Sequence, residues 1–114
     1  MKRSGLDVAI VLHGPQATCR LNFPLPVQET EGFLLSQQIG DSMWQEIGRY
    51  RTISSRSIIE LAVPWQEVQL HPEQTMQLSI VVSEHGLEVT RYPGPLPAVL
   101  TVPGPNFEAA LWRV

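Results

Sequence analysis

The chain has 114 residues, 43% of them hydrophobic, and a formal net charge of −3, which fits one globular domain spanning residues 1–114. Its single lysine and scattered arginines form no dense basic cluster, so we expect no nucleic-acid partner. No apolar run reaches the roughly 18 to 20 residues of a membrane helix, so we expect no membrane partner either. One cysteine excludes an internal disulfide, which fits a cytoplasmic location.

The first half of the chain alternates between apolar and polar residues in short segments. The alternation predicts strands at Leu6–Leu12 and Thr18–Phe23, joined by a Gly-Pro turn as a hairpin. A polar loop precedes a further strand that opens at Phe33. Met43–Ile53 is the next predicted strand, but its loose alternation does not decide which of its two faces is buried. Gly48 is a candidate bulge in this strand.

The stretch from Ser57 to Trp112 has the clearest strand pattern. Pro64–Val68 fits one helical turn, with Pro64 near the first position, where its missing N–H does no harm. The tail, residues 106–114, fits either a helix or a strand, and we favour an extended end docked on the sandwich. The predicted strands, each expected to bury one face, are Ser57–Val63, Thr75–Ser83, Leu87–Thr90 and Ala98–Val102, the middle two joined as a hairpin at Glu84–Gly86.

These segments predict an all-β fold. Ten prolines favour many short strands over long helices, because proline cannot donate to a strand ladder. About eight short strands joined by short turns indicate an antiparallel two-sheet β-sandwich with at most one short helical turn.

Residues that carry chemistry are sparse, so we predict no catalytic residue, metal or cofactor. The chain has no nucleophile-elbow, dinucleotide-binding or P-loop motif. Its three histidines fall in predicted turns, without the spacing of metal ligands. No carboxylate pair occupies a segment typical of a cleft floor. Cys19 shares a face with Leu21 and Phe23 and is interpreted as a buried structural thiol.

The aromatic residues are the remaining candidates for a binding site. An exposed ring matches the C–H face of a sugar, although large aromatics in a small sandwich usually pack in the core or at its ends. Trp44 and Tyr50 are an even number of residues apart, so a regular strand would place them on one face, roughly 20 Å apart. The candidate carbohydrate-binding residues are Trp44, Tyr50 and Trp65.

Two parts of the sequence resemble known families. Glu60–Trp65, with the strand after it, resembles carbohydrate-binding sandwiches of the family 9 and DOMON-like type. Glu88–Leu96, Leu100–Glu108 and Leu111–Val114 resemble the C-terminal β-sandwich of glycoside hydrolase family 57 proteins, which are α-amylase and α-mannosidase relatives. The second half of the chain carries this resemblance and the first half only loosely. The catalytic barrel of that family has no counterpart in these 114 residues.

The resemblance implies a non-catalytic C-terminal accessory domain, part of a larger glycosidase that acts on α-glucans. Its partners would be the catalytic domain of the same polypeptide and, if the candidate rings are exposed, an α-glucan. If those rings are buried, the role is structural. The alternative is a free-standing module that recruits a protein through a sheet edge. A small enzyme in its own right is disfavoured because no catalytic constellation is found.

Overall fold

The computed structural model describes residues 5–55 and 58–102, and the backbone of residues 109–113. Ten strands and one 3₁₀ turn make up this part of the chain, which confirms the all-β class. The strands are β1 (Leu6–His13), β2 (Thr18–Leu25), β3 (Phe33–Ile39), β4 (Met43–Tyr50), β5 (Ile53–Ser55), β6 (Ile59–Pro64), β7 (Thr75–Glu84), β8 (Leu87–Tyr92), β9 (Ala98–Thr101) and β10 (Ala109–Arg113).

The strands form one large and one small antiparallel sheet. The large sheet has the order β4-β3-β2-β1-β7-β8, with β9 also paired to β7 beside β8. The small sheet has the order β10-β6-β5. The predicted hairpins β1–β2 and β7–β8 are both present. In the second, His85 (φ 53°) and Gly86 (φ 85°) are both left-handed, the backbone that a two-residue hairpin turn requires.

The core lies between the inner face of the large sheet and the small sheet with its adjoining 3₁₀ turn. Strict alternation in β1 and β2 places every second side chain in this layer, as their period of two dictates. The small sheet and the segment that follows β6, with Trp65, Val68 and Leu70 buried, close the layer from the other side. The buried apolar residues are Val8, Ile10, Leu12, Cys19, Leu21, Phe23, Phe33, Leu35, Ile53, Leu61, Val63, Trp65, Val68, Leu70, Met76, Leu78 and Val102.

The predicted strand Met43–Ile53 is wrong as a single element. The chain leaves the large sheet after Tyr50 and enters the small sheet at Ile53, so the segment contributes one strand to each layer. The backbone N–H of Ala62 donates to the carbonyl oxygen of Thr52 at 2.9 Å and holds the crossing point against β6. The β5 strand continues from Ile53 through Ser54 and Ser55.

Two outer strands of the large sheet, β4 and β8, contain a bulge. Pairing of β3 with β4 shifts by one residue between Leu35 and Ser36, which leaves Ile47 as the extra residue beside Gly48, as we predicted for Gly48. Pairing of β7 with β8 shifts in the same way and leaves Val89 unmatched. Bulges of this kind reverse the alternation of faces within a strand and disturb its outer hydrogen-bonding edge.

The helical turn and the extended tail agree with the sequence predictions. The 3₁₀ turn spans Trp65–Val68 and follows Pro64 directly. The tail is extended over Ala109–Arg113 and pairs with β6, whereas residues 106–108 and 114 lie outside the described part. The expected buried face of β8 is wrong, because Leu87 is 74% and Val89 57% exposed. The small sheet does not cover this end of the large one.

Candidate functional site

The structure separates the three aromatic residues that the sequence proposed as a carbohydrate site. Trp44 pairs with Gln38 and Tyr50 with Phe33 across β3. Paired residues share a face, and Gln38 and Phe33 are an odd number of residues apart in a strand without a bulge, so they face opposite ways. The prediction that Trp44 and Tyr50 share a face is therefore wrong, because the bulge at Ile47 reverses the alternation between them.

Tyr50 belongs to the inner layer. Its ring stacks on Phe33 with centroids 5.6 Å apart and planes 15° apart. Its hydroxyl donates to the Glu67 carboxylate at 2.5 Å, which ties β4 to the 3₁₀ turn. Burial, the Glu67 hydrogen bond and the Glu67 charge, in that order, raise the pKa of Tyr50 to about 12. These contacts make Tyr50 a packing residue rather than a free platform for a sugar.

Trp65 is also part of the core. It begins the 3₁₀ turn and is only 8% exposed, within the main apolar cluster. A ring at this depth offers no face to a ligand in solution, so the structure does not support Trp65 as a carbohydrate-binding residue. The motif Glu60–Trp65 serves packing in this fold, because Leu61 and Val63 on the central strand of the small sheet and Trp65 directly after it are all buried.

Trp44 lies on the opposite, outer face of the large sheet, together with Arg20. The guanidinium carbon of Arg20 is 4.4 Å from the centroid of the Trp44 ring, a cation–π contact that bridges β2 and β4 over β3. Arg20 faces outward because its neighbours Cys19 and Leu21 are buried inward. Partial burial lowers the pKa of Arg20 without making it neutral near pH 7.

The sequence analysis missed Arg20 as a partner of Trp44. The two residues are far apart in sequence, and their contact depends on the order β2-β3-β4 and on the outward direction of both side chains. Ser36 lies between them on β3 and is 1% exposed although it belongs to the outer face. A signal was available in the strict alternation of β2, which already pointed Arg20 away from the core.

Other groups that could carry chemistry are dispersed. Within residues 5–55 and 58–102, no three His, Cys, Asp or Glu side chains are grouped as metal ligands. The side chains of His13, His71 and His85 are all exposed. Cys19 is buried, its thiol 3.7 Å from the carbonyl oxygen of Val68, and burial raises the pKa of the thiol, as expected for a structural cysteine.

A shallow cleft of about 300 Å³ lies on the small sheet between residues Arg51–Ser54 and Glu60–Ala62. Among the described residues that line it, Glu60 is the one carboxylate, whereas glycoside hydrolysis requires a pair. The shape of the cleft follows from the crossing of the chain between the two sheets.

A second surface is apolar. Six of the ten exposed large apolar side chains of the described residues lie on β8, β9 and the loop between them. Leu87 and Leu96, at 74% and 77% exposure, are the most accessible of all. We call this set the apolar edge; its members are Leu87, Val89, Tyr92, Leu96, Val99 and Leu100. Val99 pairs with Gln77 and Leu100 with Met76, so the set flanks both faces of this edge. A concentration of exposed apolar side chains at one edge of a sheet indicates a contact surface.

Comparison with protein-family models, with curated proteins and with solved structures finds no match to this chain. No helix in the described ranges is both long enough and apolar enough to traverse a lipid bilayer.

Proposed function

We propose that this chain is a non-catalytic C-terminal accessory domain of a family 57-type glycoside hydrolase that acts on α-glucans. It packs on the catalytic part of the same polypeptide, in the cytoplasm. The observation that carries the proposal is the apolar edge. Large apolar side chains that remain exposed over β8 and β9 are stabilised when a partner removes them from water, at roughly 25 cal/mol per Å² of apolar surface.

The location of the apolar edge supports the identity of this partner. The segments Glu88–Leu96 and Leu100–Glu108, which resemble the end of family 57 proteins, contain four of its six members. Only Leu87 and Val99 lie just outside these segments by one residue, and both flank them directly, so the family-like stretch and the exposed apolar stretch coincide. This coincidence is expected if the family pattern includes residues selected for contact with the catalytic part.

The alternative, recruitment of a separate protein by adding a strand to a sheet edge, has weaker support. That mode needs a long, regular edge with free backbone groups. The outer strands β4 and β8 of the large sheet each contain a bulge instead, at Ile47 and at Val89, and β9, which pairs with β7 beside β8, has only four residues. Bulges are a common means of preventing edge-to-edge pairing, so these edges are better suited to remaining unpaired.

The native open reading frame provides the first test. The proposal expects a segment that encodes a catalytic barrel several hundred residues long directly upstream of Met1, and a frame without one would contradict it. The second test is binding of the separately produced catalytic part to variants of this domain. Leu96→Asp should weaken binding, whereas Ile39→Asp, on the β3–β4 side and also exposed, should not. Equal binding by both variants would show that the apolar edge is not the contact surface.

A further inference from the structure

We infer that the outer face of the large sheet has a carbohydrate site formed by Trp44, Arg20 and Glu46, which binds a neutral oligosaccharide lying across the strands. The assignment of the sugar as an α-glucan rests on the proposed function. The position of the site and its preference for a neutral polyhydroxyl ligand rest on the geometry of this face alone.

Cross-strand pairing places the three residues together. Arg20 pairs with Ser36, and Ser36 pairs with Glu46, so Arg20 and Glu46 lie two strands apart on one face. Neighbouring strands are about 4.8 Å apart, which puts their Cα atoms roughly 10 Å from each other. Trp44 is two residues before Glu46 on the same face and reaches back to Arg20 at 4.4 Å. One or two sugar rings span this arrangement.

The same cross-strand row continues beyond Arg20 with shorter side chains. Beyond Arg20 it passes through Val11 on β1 to Ser79 on β7. Ser79 and Ser36 are the two buried polar residues of the described part, and both belong to this outer row. Because Ser36 and Ser79 are short and covered by longer neighbours, the groups left to contact a ligand on this row are the side chains of Arg20, Trp44 and Glu46.

The polar groups match a sugar. Arg20 forms no ion pair with a described carboxylate, and its Nε is buried without a hydrogen-bond partner in the described residues. A guanidinium held against an indole ring is a fixed array of donors with no acceptor. The exposed carboxylate of Glu46 supplies acceptors and no donor. Hydroxyl groups both donate and accept, so one sugar can satisfy both side chains.

This combination favours a neutral ligand over an anion. A phosphate or carboxylate would be attracted by Arg20 but repelled by Glu46 on the same row, in a chain whose net charge is −3. A neutral pyranose has no such conflict, and its C–H face can rest on the part of the Trp44 ring that Arg20 leaves open. Trp44 is half-buried, so part of its surface is accessible.

The test is a titration of the 114-residue chain with maltoheptaose, followed by tryptophan fluorescence and by amide shifts in ¹H–¹⁵N NMR spectra. We expect saturable binding, with shifts grouped on β2, β3 and β4 around Arg20, Ser36 and Glu46. Trp44→Ala and Arg20→Met should each weaken binding by about tenfold or more, the loss expected when a stacking or multidentate contact is removed. Tyr92→Ala removes an exposed ring from the apolar edge and serves as the matched control with unchanged affinity.

Several results would overturn the inference. Absence of saturable binding in the millimolar range would remove the site, as would full affinity in Trp44→Ala. Tighter binding of glucuronate or inorganic phosphate than of maltoheptaose would show an anion site instead. If Trp44→Ala disturbs folding, the same titration is carried out with Glu46→Gln, which changes an exposed side chain. We expect weaker binding of maltoheptaose by this variant, and unchanged affinity would contradict the site. Failure of this titration leaves the docking test with Leu96→Asp unaffected, so the two proposals fail separately.

Discussion

Gly32 occupies the tightest backbone contact of the sandwich, and replacing it by alanine tests how the two layers are joined. Gly32 precedes β3 and has φ +72°. A Cβ atom there would collide with the carbonyl oxygen of Tyr50 and lie 2.7 Å from its carbonyl carbon and 2.9 Å from the Cα of Arg51. All three atoms belong to the backbone where the chain leaves β4 for the small sheet, so no side chain can rotate away.

The expected magnitude has two parts. A left-handed backbone costs an alanine about 1–2 kcal/mol relative to glycine. Overpacking against a fixed neighbour adds about 1–3 kcal/mol, because β4 must shift and disturb the stack of Phe33 on Tyr50. We therefore expect Gly32→Ala to lower the free energy of unfolding by about 2–5 kcal/mol, a large part of the roughly 5–15 kcal/mol typical of a domain.

Gly40 provides the matched control. It has φ +67°, close to that of Gly32, but a Cβ atom built there meets nothing within 4 Å. Gly40→Ala should therefore show the backbone term alone, about 1–2 kcal/mol. Urea unfolding followed by tryptophan fluorescence gives both values by linear extrapolation. Equal losses in the two variants, within the error of that extrapolation, would refute the close approach of Gly32 to the crossing strand.

Two further predictions concern groups in the inner layer. The Cys19 thiol should react with Ellman's reagent far more slowly in the folded protein than in urea, because it is buried and burial raises its pKa; equal rates would show that the thiol is accessible. Tyr50 should make the fold sensitive to alkali. Between its ordinary pKa of 10.0 and its folded pKa of about 12, the unfolded state loses the proton while the folded state keeps it, so the free energy of unfolding falls as pH rises. Tyr50→Phe should show a smaller fall over this window, and an identical pH dependence in both proteins would contradict the assignment.

The alternation of apolar residues was sufficient to predict most of the strands. In β1, β2 and β7 the side-chain period of two is a local property of extended backbone, so it can be read from neighbouring residues. The hairpin turns and the 3₁₀ turn after Pro64 were equally local, since they depend on a few residues with restricted backbone angles. The buried role of Cys19 followed from the same pattern in β2.

The candidate site was predicted only in part. Trp44, Tyr50 and Trp65 were all candidates, but Tyr50 was wrongly predicted to share a face with Trp44, and Trp65 lies in the core, the common position for a large aromatic residue in a small sandwich. The bulge at Ile47 reverses the faces of β4, and a bulge exists only with respect to the partner strand. Arg20 was overlooked because its contact with Trp44 requires β2 and β4 to flank β3.

The amino-acid sequence by itself determined which segments are extended, where they turn and which side chains of the central strands are apolar, because these properties depend on residues close together in the chain. Only the tertiary structure decided that Met43–Ile53 divides between two sheets, that Leu87 and Val89 stay exposed, and that Arg20 stacks on Trp44. Each of these depends on how far one layer extends over the other and on the register between strands, and both are set by contacts between segments distant in sequence.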